Sequence, residues 1–215
     1  VFVVPAEADG VETVRNVSHL GSEMTRSGHA EIKYNDVRVS EENVLGEVGG
    51  GFRHVQERLG PARLTHCMRF SGMAERALTI ARTYLSEREA FGSPIAEKQN
   101  ARFEIARRET EIQAARSLVR HTAEKIAEGE EARLGVSMSK VYTAQAAQDA
   151  IDTALQSLGG NGISKDLPIA DFYESVRPFR IIDGADEVHL RTIARTAFEE
   201  GVDPAELDPV TRFGE

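Results

Sequence analysis

Hydrophobic and polar positions along the chain change their rhythm near Gly46. Before it, β-prone stretches at residues 1–4, 11–17 and 30–39 are separated by Gly10, Gly21 and Gly28, with Asn35-Asp36 as a further turn signal. Their alternation is imperfect, and three short strands are a slender basis for a free-standing sheet. They are expected to complete a β-domain whose beginning is missing, and the opening Val1-Phe2-Val3-Val4 reads as a strand entered midway in a fragment, not as a signal peptide. After Gly49-Gly50-Gly51 the period becomes helical. A first long helix is expected over 51–88, kinked or restarted at Pro61, whose ring and missing N–H oppose a continuous helix. A second spans roughly 95–128, with Ile105, Ile112, Val119 and Ile126 at sevenfold spacing, Ala115 and Ala123 in the same stripe, and Gly129 as its stop. A third covers about 131–158 with Leu134, Met138, Val141, Ile151, Leu155 and Leu158 facing inward, and ends at Gly159-Gly160-Asn161-Gly162. A shorter helix at 168–176 leads through Pro178 to the loop Ile182-Asp183-Gly184, and a last helix covers 186–199. The pattern predicts a mainly α fold: an antiparallel long-helix bundle over 47–200, a few strands at 1–46, and an irregular tail at 201–215 containing Pro204 and Pro209.

Composition agrees and removes some functions. The 215 residues are 40% hydrophobic and 28% charged, enough for one or two domains with a core, and a 6% aromatic share without tryptophan favours helices over a sheet-rich fold. A net charge of −9 argues against nucleic acid as the main partner, since phosphate binding needs a basic surface. An anionic cofactor held by local arginines or helix N-termini stays possible. The single cysteine, Cys67, excludes an intrachain disulfide and points to a reducing, cytoplasmic-type compartment. No apolar run approaches the ~20 residues of a membrane span, and no metal is expected.

Three clusters carry candidate chemistry. The first is Arg88-Glu89-Ala90-Phe91-Gly92-Ser93-Pro94-Ile95, followed by Gln99. Its arginine and aromatic could grip a phosphate and a planar ring, although a helix–helix turn with Pro94 at the first helical turn explains it too. The second, Gln156-Ser157-Leu158-Gly159-Gly160-Asn161-Gly162, offers backbone N–H groups to a pyrophosphate or simply caps a helix. The third, Arg180-Ile181-Ile182-Asp183-Gly184-Ala185-Asp186-Glu187-Val188-His189, sets a carboxylate on a glycine turn before a helix, where aspartate usually serves as a cap.

In this order and spacing the clusters resemble the acyl-CoA dehydrogenase family, in its C-terminal half. Asn35-Asp36-Val37-Arg38-Val39, Glu42-Asn43-Val44-Leu45-Gly46 and Gly51-Phe52 resemble that family's exit from its β-domain, so the likeness spans roughly residues 1–200. Arg58-Leu59-Gly60-Pro61-Ala62-Arg63, His66-Cys67-Met68-Arg69 and the segment from Asp183 to His189 resemble the branch in which some members are fused to an aminoglycoside-phosphotransferase-like domain. The resemblance implies FAD as cofactor, an acyl-CoA substrate converted to a trans-2-enoyl-CoA, electron-transferring flavoprotein as acceptor, and a homodimer or homotetramer. For a eukaryotic source it implies mitochondria or peroxisomes. It implies Asp183 as catalytic base, Gly184 beside the thioester and Arg63 on the helix lining the acyl-CoA cleft. Arg88, Phe91 and Gln99 would reach the flavin of a neighbouring chain. Gln156, Gly159 and Gly160 would contact the adenosine-diphosphate part of FAD, and Ala185 and Glu187 stand at further FAD-contacting positions.

Several residues depart from the family pattern. Position 183 is more often glutamate, Ala90 and Ala185 lack the threonine hydroxyls of many members, Glu187 replaces a frequent glutamine and Ile182 a tyrosine. Ala62 stands where a minority carry an alternative glutamate base. A carboxylate of ordinary pKa, ~4, is far too weak a base for a thioester α-proton. In the family, hydrogen bonds to the thioester oxygen from a ribityl hydroxyl and the base residue's backbone N–H stabilise the enolate, and the acyl chain desolvates the carboxylate. The flavin ring there rests mainly on the first part of the β-domain and the acyl chain on an amino-terminal helical domain. Neither is in this sequence, so the chain alone is not expected to turn over. The aspartate keeps open a flavin-dependent oxidase such as a nitroalkane oxidase, and a non-catalytic helical assembly subunit is the alternative of another class.

Overall fold

The computed structural model describes residues 1–21 and 28–199, and the expected tail at 201–215 lies outside them. Strands β1 (Val11–Val17) and β2 (His29–Tyr34) pair antiparallel, Val11 opposite Tyr34 and Val17 opposite His29. β2 stops at Tyr34, short of the expected 39, because Asn35-Asp36 turns the chain and Asp36 takes a left-handed φ of 50°. Residues 1–4 form no strand. They make one antiparallel bridge, Phe2 to Val44, flanked by bonds from Val3 N–H to Asn43 O and from Leu45 N–H to Val1 O, both 2.8 Å.

Six helices follow among the described residues: α1 (Gly51–Glu87), α2 (Gln99–Ala127), α3 (Arg133–Leu158), the single turn α4 (Gly160–Ile163), α5 (Ile169–Val176) and α6 (Asp186–Glu199). A two-residue hairpin, β3 (Glu89–Ala90) with β4 (Ser93–Pro94), and a 3₁₀ turn at Ile95–Glu97 join α1 to α2. Another 3₁₀ turn, Arg177–Arg180, follows α5. None of these helices is long and apolar enough to cross a membrane. α1 passes Pro61 without restarting. The carbonyl that proline leaves without a donor, four residues back at Glu57, lies on an exposed face where water can satisfy it, and Thr65 Oγ1 donates to the Pro61 carbonyl at 3.0 Å.

Cross-helix pairs set the direction of each helix. Glu75 meets Arg116 and Arg82 meets Glu109 between α1 and α2, while Arg108 meets Asp149 and Thr122 meets Ser139 between α2 and α3. Numbers rise on one helix as they fall on the next, so neighbours are antiparallel and α1 and α3 run the same way. α3 lies at the centre, against α1, α2, α5 and α6. Its buried face agrees in part with the expected one: Ile151 and Leu158 are covered and Leu155 is half-buried, but Met138 is exposed and Leu134 and Val141 are only half-buried, and Ala144, Ala147, Ala150 and Ala154 are fully covered in addition. Small residues let α3 approach α1 closely, where Ala74, Ala77 and Ala81 are equally covered. On α2 the sevenfold stripe is buried or packed against the core, but Ala123 is exposed and Thr122 takes its place. Phe70, Leu78, Ile151, Leu158, Ile169, Val176 and Phe179 fill the core, each worth about 1.5–3 kcal/mol on burial.

Candidate functional site

The loop before α6 is built around two consecutive left-handed residues, Asp183 at φ 55° and Gly184 at φ 96°. A Cβ on Gly184 would stand 2.8 Å from His189 Nε2, so both conformation and space require glycine. Asp183 pays in backbone strain, one of three non-glycine residues with positive φ among those described. Two bonds to its carbonyl oxygen hold it there, from Arg63 Nε on α1 at 2.7 Å and from His189 Nε2 on α6 at 3.2 Å. A carbonyl only accepts, so Nε2 carries the His189 proton and Nδ1, 3.2 Å from Ser137 Oγ, accepts from that hydroxyl. The ring is neutral in this arrangement, and burial holds His189 below the ordinary histidine range, with Arg63 and Lys140 acting the same way.

Next to this loop α6 is anchored by charge. Asp186, the first residue of α6, accepts from Lys140 Nζ at 2.9 Å and Arg180 Nε at 2.8 Å. Lys140 is wholly buried in the first third of the chain's central helix, its ammonium 5.3 Å from the centre of the Phe179 ring. A buried cation survives only when paired, so the loop and α3 are locked together. Cys67 is buried close by, and loss of solvation pushes its thiol up to about 12, which leaves it unreactive.

The Asp183 carboxylate itself is mostly buried but does not cap α6: no backbone N–H donates to it among the described residues. Its Oδ2 lies 3.1 Å from His66 Nε2 and is buried without a hydrogen bond among the described residues. That oxygen keeps a lone pair for a proton. Burial is also the chief reason that Arg63 and His66 sit below their ordinary pKa ranges, with Asp183 opposing the shift in both.

Other sequence-selected residues stand elsewhere. Arg88 caps α1, Gln99 opens α2, and Phe91 sits at the hairpin tip with φ 54° and 97% exposure. Lys98 Nζ secures that tip through Phe91 O at 3.1 Å and Ser93 Oγ at 2.7 Å. Gln156, Gly159 and Gly160 lie at the C-terminal end of α3, exposed. Gly159 has φ 57° and ψ −129°, a conformation suited to glycine, with open space where a Cβ would be on both glycines. Because α1 and α3 run the same way, both groups share one end of the bundle. Arg63 and His66 lie toward the other, and the 22 residues from His66 to Arg88 span about 33 Å of helix. Ala185 is half-buried and its carbonyl receives the first bonds of α6, while Glu187 is exposed in its first turn. The sequence reading did not single out His66, Ser137, Lys140, Asp186 or His189 as site residues. Arg63 and His66 share a helix face at three-residue spacing, and Lys140 interrupts a small-residue face, which were the available signals.

Residues 49–198 match the model of the family described as "Acyl-CoA dehydrogenase, C-terminal domain". The chain is 45% identical over 197 residues to the probable acyl-CoA dehydrogenase FadE2 of Mycobacterium tuberculosis, covering 91% of this chain and 48% of that protein. It is 40% identical over 197 residues to mouse acyl-CoA dehydrogenase family member 10, covering 91% of this chain and 18% of that protein. Butyryl-CoA dehydrogenase from Megasphaera elsdenii superposes with a TM-score of 0.85 at 29% identity, over 92% of this chain and 51% of that one. The chain thus spans about half or less of the length of these relatives.

Proposed function

This chain belongs to the acyl-CoA dehydrogenase family, whose members are oxidoreductases, and on that premise we propose that its whole protein is an FAD-dependent enzyme that dehydrogenates an acyl-CoA thioester to the trans-2-enoyl-CoA. The observation that carries the reading is the Asp183 carboxylate. It is held by its backbone on a strained turn, does no capping, and keeps a buried oxygen without a hydrogen bond. Asp183 takes the α-proton on that oxygen. Arg63 and His189 fix the carbonyl of the same residue, so the carboxylate moves only about its own side-chain torsions. Gly184 lets the main chain pass close to the thioester. An acyl chain over the site expels water from around the carboxylate and raises its basicity.

FAD, when bound, supplies the hydride acceptor for the β-carbon. The residues present suit it: Gly159 and Gly160 leave their main chain unshielded, and Arg88, Phe91 and Gln99 form an exposed polar and aromatic surface. The ~33 Å between Arg88 and His66 supports assigning Asp183 and Arg88 to different flavin rings. We therefore assign Asp183, Gly184 and Arg63 to one active site, and Arg88, Phe91 and Gln99 to the FAD of a neighbouring subunit, with Gln156, Gly159, Gly160, Ala185 and Glu187 as further cofactor contacts. On this reading residues 1–46 end a β-domain, 47–200 form the helical domain, and electron-transferring flavoprotein takes the electrons.

Anaerobic stopped-flow mixing of the full-length, FAD-loaded protein with acyl-CoAs of graded length tests the proposal. Bleaching of the flavin by at least one thioester is expected. No bleaching by any of them, or reduction by nitroalkanes alone with oxygen as acceptor, would overturn it.

A further inference from the structure

No step of the proposed reaction uses His66, yet its Nε2 lies 3.1 Å from Asp183 Oδ2. Tertiary packing makes the contact. His66 stands one turn beyond Arg63 on α1, and its ring lies 6.5 Å from the Phe70 ring and 6.0 Å from that of Phe179, centre to centre. Those two phenylalanines are fully buried and packed 4.7 Å apart, and they bound the half-buried imidazole on its inner side. We infer that His66 is a positioning residue for Asp183: its neutral ring, packed against Oδ2 without a hydrogen bond, limits where the carboxylate can swing, and its protonated form ties the carboxylate into an ion pair that no longer serves as a base. The inference rests on the reading of Asp183 as the base.

The surroundings select the neutral ring as the working form. Arg58 and Arg69 on α1 face His66 with like charge, Arg63 on α1 and Arg180 after α5 lie around the loop, and Arg133 and Lys140 approach from α3. From α6 come Asp186, already committed to Lys140 and Arg180, and His189, held neutral by its two bonds. Asp183 alone favours a charged His66, and burial opposes it. Protonation of His66, 3.1 Å from Oδ2, therefore removes the base as pH falls and gives the acid limb a step that belongs to the ring.

The test uses the full-length, FAD-loaded protein and begins without acyl-CoA. NMR titration of the His66 ring carbons should place it below the ordinary histidine value of ~6.5. Asp183→Asn should move it lower still, because the carboxylate is what favours the charged ring. Identical His66 titrations in the two proteins would overturn the inference. The pH profile of flavin reduction by acyl-CoA is the second readout. His66→Gln, which keeps a polar side chain beside Oδ2, should retain the neutral-pH rate within about threefold, while His66→Leu should lose on the order of tenfold. In both variants the step of the acid limb that belongs to His66 should be lost. A natural rate and an unchanged acid limb in His66→Leu would also overturn it. Coupled titrations without flavin bleaching would keep the pair and refute the proposed reaction, whereas bleaching with independent titrations would refute the pair alone.

Discussion

The two ends of the bundle treat the same kinds of side chain in opposite ways. Around Asp183, arginine, lysine and histidine are turned inward and spend their donors on the protein itself: Arg63 and His189 on one carbonyl, Lys140 and Arg180 on Asp186. At the hairpin end Arg88 and Gln99 are exposed, and Phe91 presents nearly its whole ring to solvent on a strained backbone. The first end holds its geometry unaided. The second has the composition of a surface that finds its partner elsewhere, since an exposed aromatic rimmed by polar groups is the usual anatomy of a contact site.

Substitutions should separate the two ends, most sharply at the base. Asp183→Asn is expected to slow flavin reduction by roughly 10²–10⁴-fold while the protein folds normally, because the carboxylate caps no helix and Ala62 offers no second acid. Stopped-flow bleaching measures it, and a near-natural rate would make Asp183 structural. Next comes the anchor of α6. Asp186→Leu leaves Lys140 buried with no anion and should cost about 3–5 kcal/mol in urea unfolding. Lys140→Met combined with Asp186→Leu should restore much of that loss, since no charge is then stranded. An equal loss in both would mean that packing, not pairing, holds the loop.

Stability should also depend on pH with a definite sign. His66 and His189 are both held below their ordinary range in the folded chain, chiefly by burial. The unfolded chain therefore binds protons first as pH falls below ~6.5. Stability is full above that value and declines through the acid range, and His189→Gln should flatten the decline seen in thermal melts. A decline that remains unchanged would assign it to other groups. The smallest effect belongs to the opposite end. Phe91→Ala and Arg88→Ala should change the melting of the isolated chain by no more than about 0.5 kcal/mol, and yet weaken FAD retention in the assembled protein. A large destabilisation would show that the hairpin supports its own chain.

The helices were readable from periodicity, because α2 buries Ile105, Ile112 and Val119 on a stripe that the sequence displays openly. α3 was readable as a helix but not in its facing. Its central position buries alanine, serine, threonine and even Lys140, so large apolar residues mark the inward side at Ile151 and Leu158 but not in the first half, where Met138 is exposed. Residues 1–4 look like a strand and make a single bridge, since pairing depends on neighbours that a sequence pattern does not reveal. At the site, the acid–glycine turn stood out by its spacing before α6. The alternative of a helix cap could be set aside only with the bonding of the carboxylate in view. His66 and His189 reach Asp183 through tertiary packing, and no local motif announces such a meeting.

The central claim is that Asp183 and Arg88 of one chain serve different flavins. Subunit mixing tests it most directly, with Asp183→Asn as one parent and Arg88→Glu/Gln99→Ala as the other, each inactive alone. In a mixed pair, one active site receives an intact Asp183 from one chain and an intact Arg88 from its neighbour. Random reassembly of equal amounts should therefore return about one quarter of natural flavin reduction. A mixture that stays as inactive as its parents would mean that both residues serve one flavin from one chain, and would contradict the account.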